Sequence, residues 1–439
     1  MEKELNHIYS YILKGAKISI DSRKIDSDSI FFAIKGPVYD ANKFVPEALE
    51  KGALLAVADD KNLPDMPGII KVNNVLETLQ QLAIHHRKGF DKPVIGITGT
   101  NGKTTTKELL SSVLASKYNV LFTQGNFNNH IGLPLTILSL KKEHEIAVIE
   151  MGANRLGDID FLCKIAQPTC GLITNIGKAH IEGFGSVDNI IKTKTELYRY
   201  LKSKNGLIFL NGDNEILKAQ VGIYDKVLTY GRQSHFHIKG EIISSQPFLK
   251  IAFQIHSGEK QSNKSEFIQS QLIGTYNFEN ILAAVLIGVH FNVPGYEIKT
   301  AIEDYTPVNS RSQFKDSGKN KIVWDAYNAN PTSMALALDN FRQLNTEAKI
   351  VILGDMLELG TTAAKEHQAV INNLTENPFE LMILVGEEFY ACKPTSKNIL
   401  TFKTNKEAAA WLEKNPLNNY TILVKGSRGI ELEALEEYL

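Results

Sequence analysis

One stretch limits the fold more than any other. Gly99-Thr100-Asn101-Gly102-Lys103-Thr104-Thr105 stands between the apolar run VIGIT (94–98) and the helical pattern KTTTKELLSSVLASK. A buried strand that turns through two glycines into a helix is what a phosphate-binding loop requires. The glycines let backbone amides curl around phosphate oxygens, the helix N-terminus adds positive potential, Lys103 adds a full charge, and the Thr104 hydroxyl can ligate magnesium. The spacing is not that of a Walker loop, because Ile97 stands where that longer motif has its first glycine; the shorter Gly-x-x-Gly-Lys-Thr form applies. Such a loop points to ATP or GTP and to a strand-loop-helix unit within a mostly parallel sheet.

The rest of the chain extends that architecture. Leu110, Val113, Leu114 and Lys117 recur at helical spacing after the loop, and the apolar runs IAVIE (146–150), CGLIT (170–174) and GLIFL (206–210) follow as further strands. Between about 232 and 268 the pattern alternates, with Leu249, Ile251, Phe253 and Ile255 on one face, which predicts an antiparallel β appendage. From Pro307 onward IVWDA, KIVILGD, LMILVGE and TILVKG recur with helix-length spacers, a Rossmann-like pattern without its glycine fingerprint. Ligands of such sheets gather beyond the carboxyl ends of strands, where Asp325, Asp355, Glu387 and Lys425 fall. Before residue 88 short apolar runs (ISI, IFFAI, LLAVA) alternate with turn clusters, and a polar helix over 75–88 leads out. The reading is an α/β chain of three domains: a small N-terminal α/β substrate domain (1–88), a central mostly parallel ATPase domain with a β appendage (89–306), and a C-terminal Rossmann-like domain (307–439).

Charge narrows the partners. Lys plus Arg (48) nearly cancels Asp plus Glu (49), which removes any bulk reason to expect nucleic acid or an anionic membrane. An anionic substrate must be caught locally. Cys163, Cys170 and Cys392 cannot build a disulfide framework and lack zinc-site pairing, so a reducing compartment is expected. The N-terminus MEKELNHIYS has no apolar core of signal-peptide type and no run is long enough to span a bilayer, so the expectation is a soluble cytoplasmic protein. Nucleotide phosphates imply magnesium, which takes oxygen ligands. Glu150, at the end of IAVIE, is either such a ligand or an ordinary loop charge; His180, in LITNIGKAH, is either a second ligand or a structural histidine.

Taken in order, TGTNGKTTT, IEMGAN, LTNIGKAHIEGFGS, KTKTEL and VKGSRG resemble the Mur ligases, the ATP-dependent amide-forming enzymes of peptidoglycan precursor synthesis, and the resemblance spans essentially the whole chain. Within that family GNFNNHIGLPLT (125–136), DAYNANPTSM (325–334) and LGDMLELG (353–360) are most similar to the D-alanyl-D-alanine-adding branch. The resemblance implies ATP and two Mg²⁺ ions as cofactors, with Gly99 to Thr105 on the phosphates. It implies that Lys194 is carbamylated, since a bare ammonium repels Mg²⁺ whereas a carbamate supplies anionic oxygens. Thr104, Glu150, His180 and Lys194 then form the metal set, and Lys103, Glu150, His180, Lys194 and Arg311 the catalytic set. Asn280 matches the residue that reads the adenine edge, Arg311 the one that reaches the phosphates, and Asp325 the ribose-binding acid. Tyr276 stands where most relatives have histidine, and Ser310 where glycine is usual.

On the substrate side, Ser22, Arg23, Lys35, Gly36 and Asp40 resemble the uridine-nucleotide site, where basic side chains beside backbone amides suit a diphosphate. Asn126, Asn128 and Asn129 are candidates to face the muramoyl-peptide, and Tyr327, Asn328, Asn330, Lys425, Ser427 and Arg428 to hold the acceptor dipeptide and close the site. The implied reaction activates the terminal carboxylate of UDP-N-acetylmuramoyl-tripeptide as an acyl phosphate, from which the amine of D-alanyl-D-alanine displaces phosphate. The substrates are small molecules; nucleic acid and membrane insertion play no part, and a bacterial cytoplasmic monomer is expected. Rival readings are a third-residue-adding or folylpolyglutamate-type ligase, and a protein that binds ATP without turnover.

Overall fold

A computed structural model describes residues 2–257, 260, 261, 265–308, 311–346 and 348–439; Ser310 lies outside the described residues. The chain divides into two compact units, Met1–Gly96 with Asn119–Gly152 and Asp160–Thr169, and Ile97–Tyr118 with Ala153–Ile159 and Cys170–Leu439.

The first unit begins with a parallel sheet ordered Lys17–Ser19, Ser29–Phe32, Leu55–Ala58 and Ile69–Lys71. Small residues let the helix Val45–Glu50 press closely onto it: Ala41, Val45, Ala48, Ala56 and Ala58 surround Phe31 in the core. The polar helix anticipated from the pattern spans Val75–Lys88. Asn74 caps it by accepting the Glu77 N–H, and His85 to Lys88 place basic groups at its negative end. Its Leu79, Leu82 and Ala83 are buried, and it packs on the helix Gly132–Leu138. Arg87 is buried yet satisfied, donating to the carbonyls of Ala166 (2.7 Å), Gln167 (2.8 Å) and Phe90 (2.5 Å). The strands Val120–Phe122 and Ile146–Glu150 pair in parallel in the same unit.

In the second unit the helix Lys103–Ala115 packs on Asn277–His290, whose Phe278 and Ile281 through Gly288 are buried nearly all round. Parallel strands Cys170–Ile173, Leu207–Asn211 and Val227–Gly231 continue into Ile238–Ser244. There the direction reverses: Lys250–Ser257 runs antiparallel to Ile238–Ser244 and to Glu266–Gln269. The alternation expected here is observed, with Leu249, Ile251 and Phe253 buried and Ile255 half-buried.

The C-terminal part of this unit carries a sheet ordered Gln313–Asp316, Lys321–Asp325, Thr421–Lys425, Lys349–Gly354, Leu381–Val385 and Ile399–Phe402, parallel except for its first strand. Both faces are covered, as the continuous apolar runs require. Val351, Leu353, Met382 and Leu384 meet Met334, Leu338 and Phe341 of the helix Pro331–Gln343 on one face. Ile350, Ile352, Ile383 and Val385 meet Ala408 and Leu412 on the other. Asp325 and Lys425 end neighbouring strands in register, and Asp355 follows a third. No described helix is long and apolar enough to cross a membrane.

Candidate active site

The phosphate-type loop follows the fully buried strand Val94–Thr98, whose β-branched residues favour extended backbone. Its two glycines are required for different reasons. Gly99 has φ +146°, and a Cβ there would overlap Thr174 Oγ1; Gly102 has φ +78°, and a Cβ would stand 2.7 Å from Asn280 Oδ1. The loop is tied to the segment after the strand Cys170–Ile173. Thr100 N–H donates to Asn175 O (2.9 Å), Asn101 N–H donates to Asn175 Oδ1 (3.0 Å), and Thr174 Oγ1 and Asn175 Nδ2 both donate to Asn101 O (2.6 and 3.1 Å). Lys103 opens the helix and folds back over the loop, its Nζ donating to Gly99 O (2.8 Å) and Thr100 O (2.9 Å). Thr104 is buried in the first turn, where helical N–H groups have no intrahelical acceptor and the helix end favours an anion.

Asn280 lies under that loop. It is 5% exposed, its Oδ1 accepts from Thr106 Oγ1 (3.0 Å), and its Nδ2 donates to Asn277 Oδ1 (2.9 Å). The amide expected to read adenine therefore braces the phosphate-loop helix in this structure. Tyr276, one turn earlier, shares a hydrogen bond with Ser312 Oγ (2.8 Å).

Lys194 ends the helix Val187–Lys194 and is 2% exposed. Its Nζ reaches Ala153 O only at 3.5 Å and stands 5.5 Å from the Phe184 ring centre. Burial, reinforced by the charge of Lys103 and opposed by Asp158 and Glu196, brings this amine down to about 7. Near pH 7 about half of such a lysine is neutral, and the neutral amine is the nucleophile that reaction with carbon dioxide requires. His180, at φ +51°, precedes the short helix Ile181–Phe184, and its Nδ1 lies against Glu358 Oε2. The hydrogen bond from His180 holds the Glu358 carboxyl below its ordinary value.

Glu150, in the first unit, is 1% exposed. Its N–H donates to Thr123 Oγ1 (3.0 Å), Oε1 accepts from Asn128 Nδ2 (2.8 Å), and Oε2 is buried with no hydrogen-bond partner among the described residues. A buried carboxylate oxygen without a donor has the chemistry that a hard cation fits. Among the described residues no group of three or more His, Cys, Asp or Glu is arranged to hold a metal. Asn129 turns its Oδ1 to the N–H groups of Ile131 (3.0 Å) and Gly132 (2.9 Å), and Asn126 is exposed.

Farther along the first unit, the Arg23 side chain binds Asp21 through two 2.9 Å contacts, and these bonds bring the Asp21 carboxyl down to about 2. Ser22 is buried between them in sequence. Lys35 stands 3.3 Å from Asp40, which also caps Ala41–Phe44 by accepting the Asn42 N–H, and Gly36 N–H donates to Tyr39 O (2.7 Å). Tyr39 stacks on Phe44 at 5.8 Å and is half exposed beside a wholly exposed Val38.

The loop between Lys321–Asp325 and Pro331–Gln343 gathers the C-terminal candidates. Asp325 Oδ2 pairs with the buried Lys425 Nζ (2.6 Å), and Oδ1 accepts the Ser312 N–H (3.2 Å). Arg311 lies 3.7 Å and Arg428 5.5 Å from the Tyr327 ring centre. Asn328 is exposed and its Oδ1 accepts the Ala329 N–H. Asn330 caps the helix in a reciprocal capping box with Ser333, and its Nδ2 donates to Asn101 Oδ1 (2.8 Å). Ser427 Oγ accepts the Leu357 N–H (2.9 Å).

Residues 97–288 match the Mur ligase middle domain and residues 310–428 the Mur ligase glutamate ligase domain. The UDP-N-acetylmuramoyl-tripeptide–D-alanyl-D-alanine ligase of Bacillus subtilis is 35% identical over 95% of this chain and 92% of its own length. This chain belongs to the Mur ligase family. The ligase of the same description from Haemophilus influenzae is 33% identical over 95% of this chain and 92% of its own. Among solved structures, MurF from Acinetobacter baumannii superposes with a TM-score of 0.85 at 30% identity, covering 96% of this chain and 92% of that one. The MurF ligase of Thermotoga maritima in complex with ADP gives 0.83 at 27% identity and covers 96% of each chain.

Motif reading within the Mur ligase pattern did not single out Glu358, although it lies in the quoted LGDMLELG, nor Asp21, although it stands beside Arg23. Both are acids placed against basic candidates, and only the folded backbone reveals the pairings.

Proposed function

We propose that this chain is an ATP-dependent ligase that joins D-alanyl-D-alanine to UDP-N-acetylmuramoyl-tripeptide, giving the pentapeptide precursor of peptidoglycan with ADP and phosphate released. The observation that carries the reading is the loop 325–331 seated on the phosphate loop through Asn330 and Asn101. A ligase needs its acceptor-side and triphosphate-side groups on one surface, and a pure ATP-binding module has no use for that junction.

The tripeptide carboxylate attacks the γ-phosphate, and the dipeptide amine then attacks the acyl carbon and displaces phosphate. Two anions must approach in the first step, so neutralisation and positioning supply most of the acceleration. Lys103 and the loop amides hold the phosphates, and Arg311 adds charge from the C-terminal part. Magnesium, when bound, supplies Lewis-acid neutralisation of the phosphate oxygens. The residues assigned to hold it are Thr104, Glu150, His180 and Lys194 as its carbamate. Asn280 is assigned to adenine and Asp325 to ribose. Arg23, Lys35 and their neighbours are assigned to the uridine diphosphate, and Asn126, Asn128 and Asn129 to the muramoyl-peptide. Domains over 1–88, 89–306 and 307–439, two metal ions and a monomer in the bacterial cytoplasm complete the reading. Its test is phosphate release from Mg-ATP with the tripeptide nucleotide: release must depend on D-alanyl-D-alanine and not be matched by single amino acids or glutamate.

A further inference from the structure

Arg311 and Arg428 come from opposite ends of the C-terminal part, yet both guanidinium groups lie at the ring of Tyr327, at 3.7 and 5.5 Å from its centre. The backbone that carries the ring is held on both sides. Its loop is pinned on one side by Asp325, held by Lys425 and the Ser312 amide, and on the other by the Asn330 capping box.

How an arginine is held decides what it can still do. A carboxylate partner uses guanidinium donors and cancels the charge, whereas an aromatic face orients the cation and leaves its N–H groups available. Arg311 Nε is buried and makes no hydrogen bond among the described residues, and Arg428 is exposed. Two cations sharing one ring repel each other, so the arrangement is completed by anions.

We propose that Tyr327 is a positioning residue whose ring holds Arg311 toward the triphosphate and Arg428 toward the acceptor's carboxylate, linking the two anion sites of the reaction. This rests on the ligase reading above, and it assigns Tyr327 no direct contact with substrate. Occupation of the acceptor side by a carboxylate relieves the repulsion and leaves Arg311 better placed for phosphate transfer.

The test uses the full-length protein with Mg-ATP, the tripeptide nucleotide and D-alanyl-D-alanine. Tyr327→Leu and Tyr327→Met remove the ring and keep bulk; each is expected to lower kcat roughly tenfold and to raise the KM for the dipeptide roughly tenfold, with an unchanged melting temperature. Tyr327→Phe, which keeps the ring and loses the hydroxyl, is expected to stay within about twofold of wild type in both constants. Arg428→Ala is expected to raise the dipeptide KM, and adding Tyr327→Leu to it should raise that KM little further. Wild-type constants in both the Leu and the Met variants overturn the proposal, and so does a Phe variant as impaired as they are, because the hydroxyl would then be acting on substrate directly. Absence of dipeptide-dependent turnover in the wild type is a different outcome, one that removes the ligase reading itself.

Discussion

Asn330 Nδ2 donates to Asn101 Oδ1 at 2.8 Å, so the residue that caps the helix Pro331–Gln343 also touches the phosphate loop. The two jobs use different atoms, since Oδ1 accepts the Ser333 N–H and Nδ2 makes the bridge. Asn330→Ser keeps a capping oxygen and loses the bridge. Its stability should fall by no more than about 0.5 kcal/mol, while kcat falls several-fold; Asn330→Ala should lose about 1 kcal/mol more through the missing cap. Thermal melts beside steady-state rates separate the two effects. Equal rates in wild type and the Ser variant would deny the bridge any part in turnover.

Lys194 makes a pH-dependent claim. Its folded value of about 7 lies below the ordinary 10.5 because burial disfavours the cation. Between those values the unfolded chain binds the extra proton, so stability rises with pH from about 7 to about 10.5, and below 7 the folded protein carries the whole penalty. In carbonate-free buffer the melting temperature of Lys194→Met should therefore exceed that of wild type most below pH 7, and the gap should close toward pH 10.5. With bicarbonate present, the wild type should gain the mass of one carbon dioxide more fully above pH 7 than below it. A gap independent of pH would show that the amine is not desolvated.

The same residue separates charge from carbamate. Lys194→Ala should be nearly inactive and Lys194→Glu partly active, because a carboxylate imitates the carbamate. Rates measured at saturating Mg-ATP decide it, and equal wild-type rates in both would remove Lys194 from the mechanism.

Gly99→Ala places a Cβ against Thr174 Oγ1 on a backbone at φ +146°. The loop must shift, and the expected cost is about 2 kcal/mol or more together with loss of ATP binding. Calorimetric titration with a non-hydrolysable ATP analogue checks this; wild-type affinity would mean that the loop tolerates a different shape.

Lys425→Met leaves Asp325 without its buried cation and should cost about 3 kcal/mol, more than the pair Lys425→Met with Asp325→Asn costs together. Urea unfolding of the two variants gives the comparison. A double variant less stable than the single one would contradict it.

Where the chain repeats a strong local pattern, the sequence was enough. The helix Val75–Lys88 and the strands Val94–Thr98 and Ile146–Glu150 follow from periodicity and composition. Gln313–Asp316 was not legible, because QFKD is an edge strand with no fully buried residue, and Ile399–Phe402 is short with one buried position. The site divides in the same way. The glycines of the loop announce themselves, since their backbone is the function. Lys194 stands in the polar text IIKTKTEL and looks like a surface charge until tertiary packing buries it, so only the family motif marked it. The Asn330 cap can be read from Asn-Pro-x-Ser, but its reach to Asn101, 229 residues earlier, cannot.

The central claim is ligation through an acyl phosphate, and the most direct measurement follows oxygen. The tripeptide nucleotide is prepared with ¹⁸O in its terminal carboxylate and incubated with the enzyme, Mg-ATP and D-alanyl-D-alanine, and both products are analysed by mass spectrometry. Attack of that carboxylate on the γ-phosphate, followed by displacement by the amine, carries one labelled oxygen into each inorganic phosphate as the pentapeptide forms. Pentapeptide formed with unlabelled phosphate, or labelled phosphate without dipeptide incorporation, would contradict it.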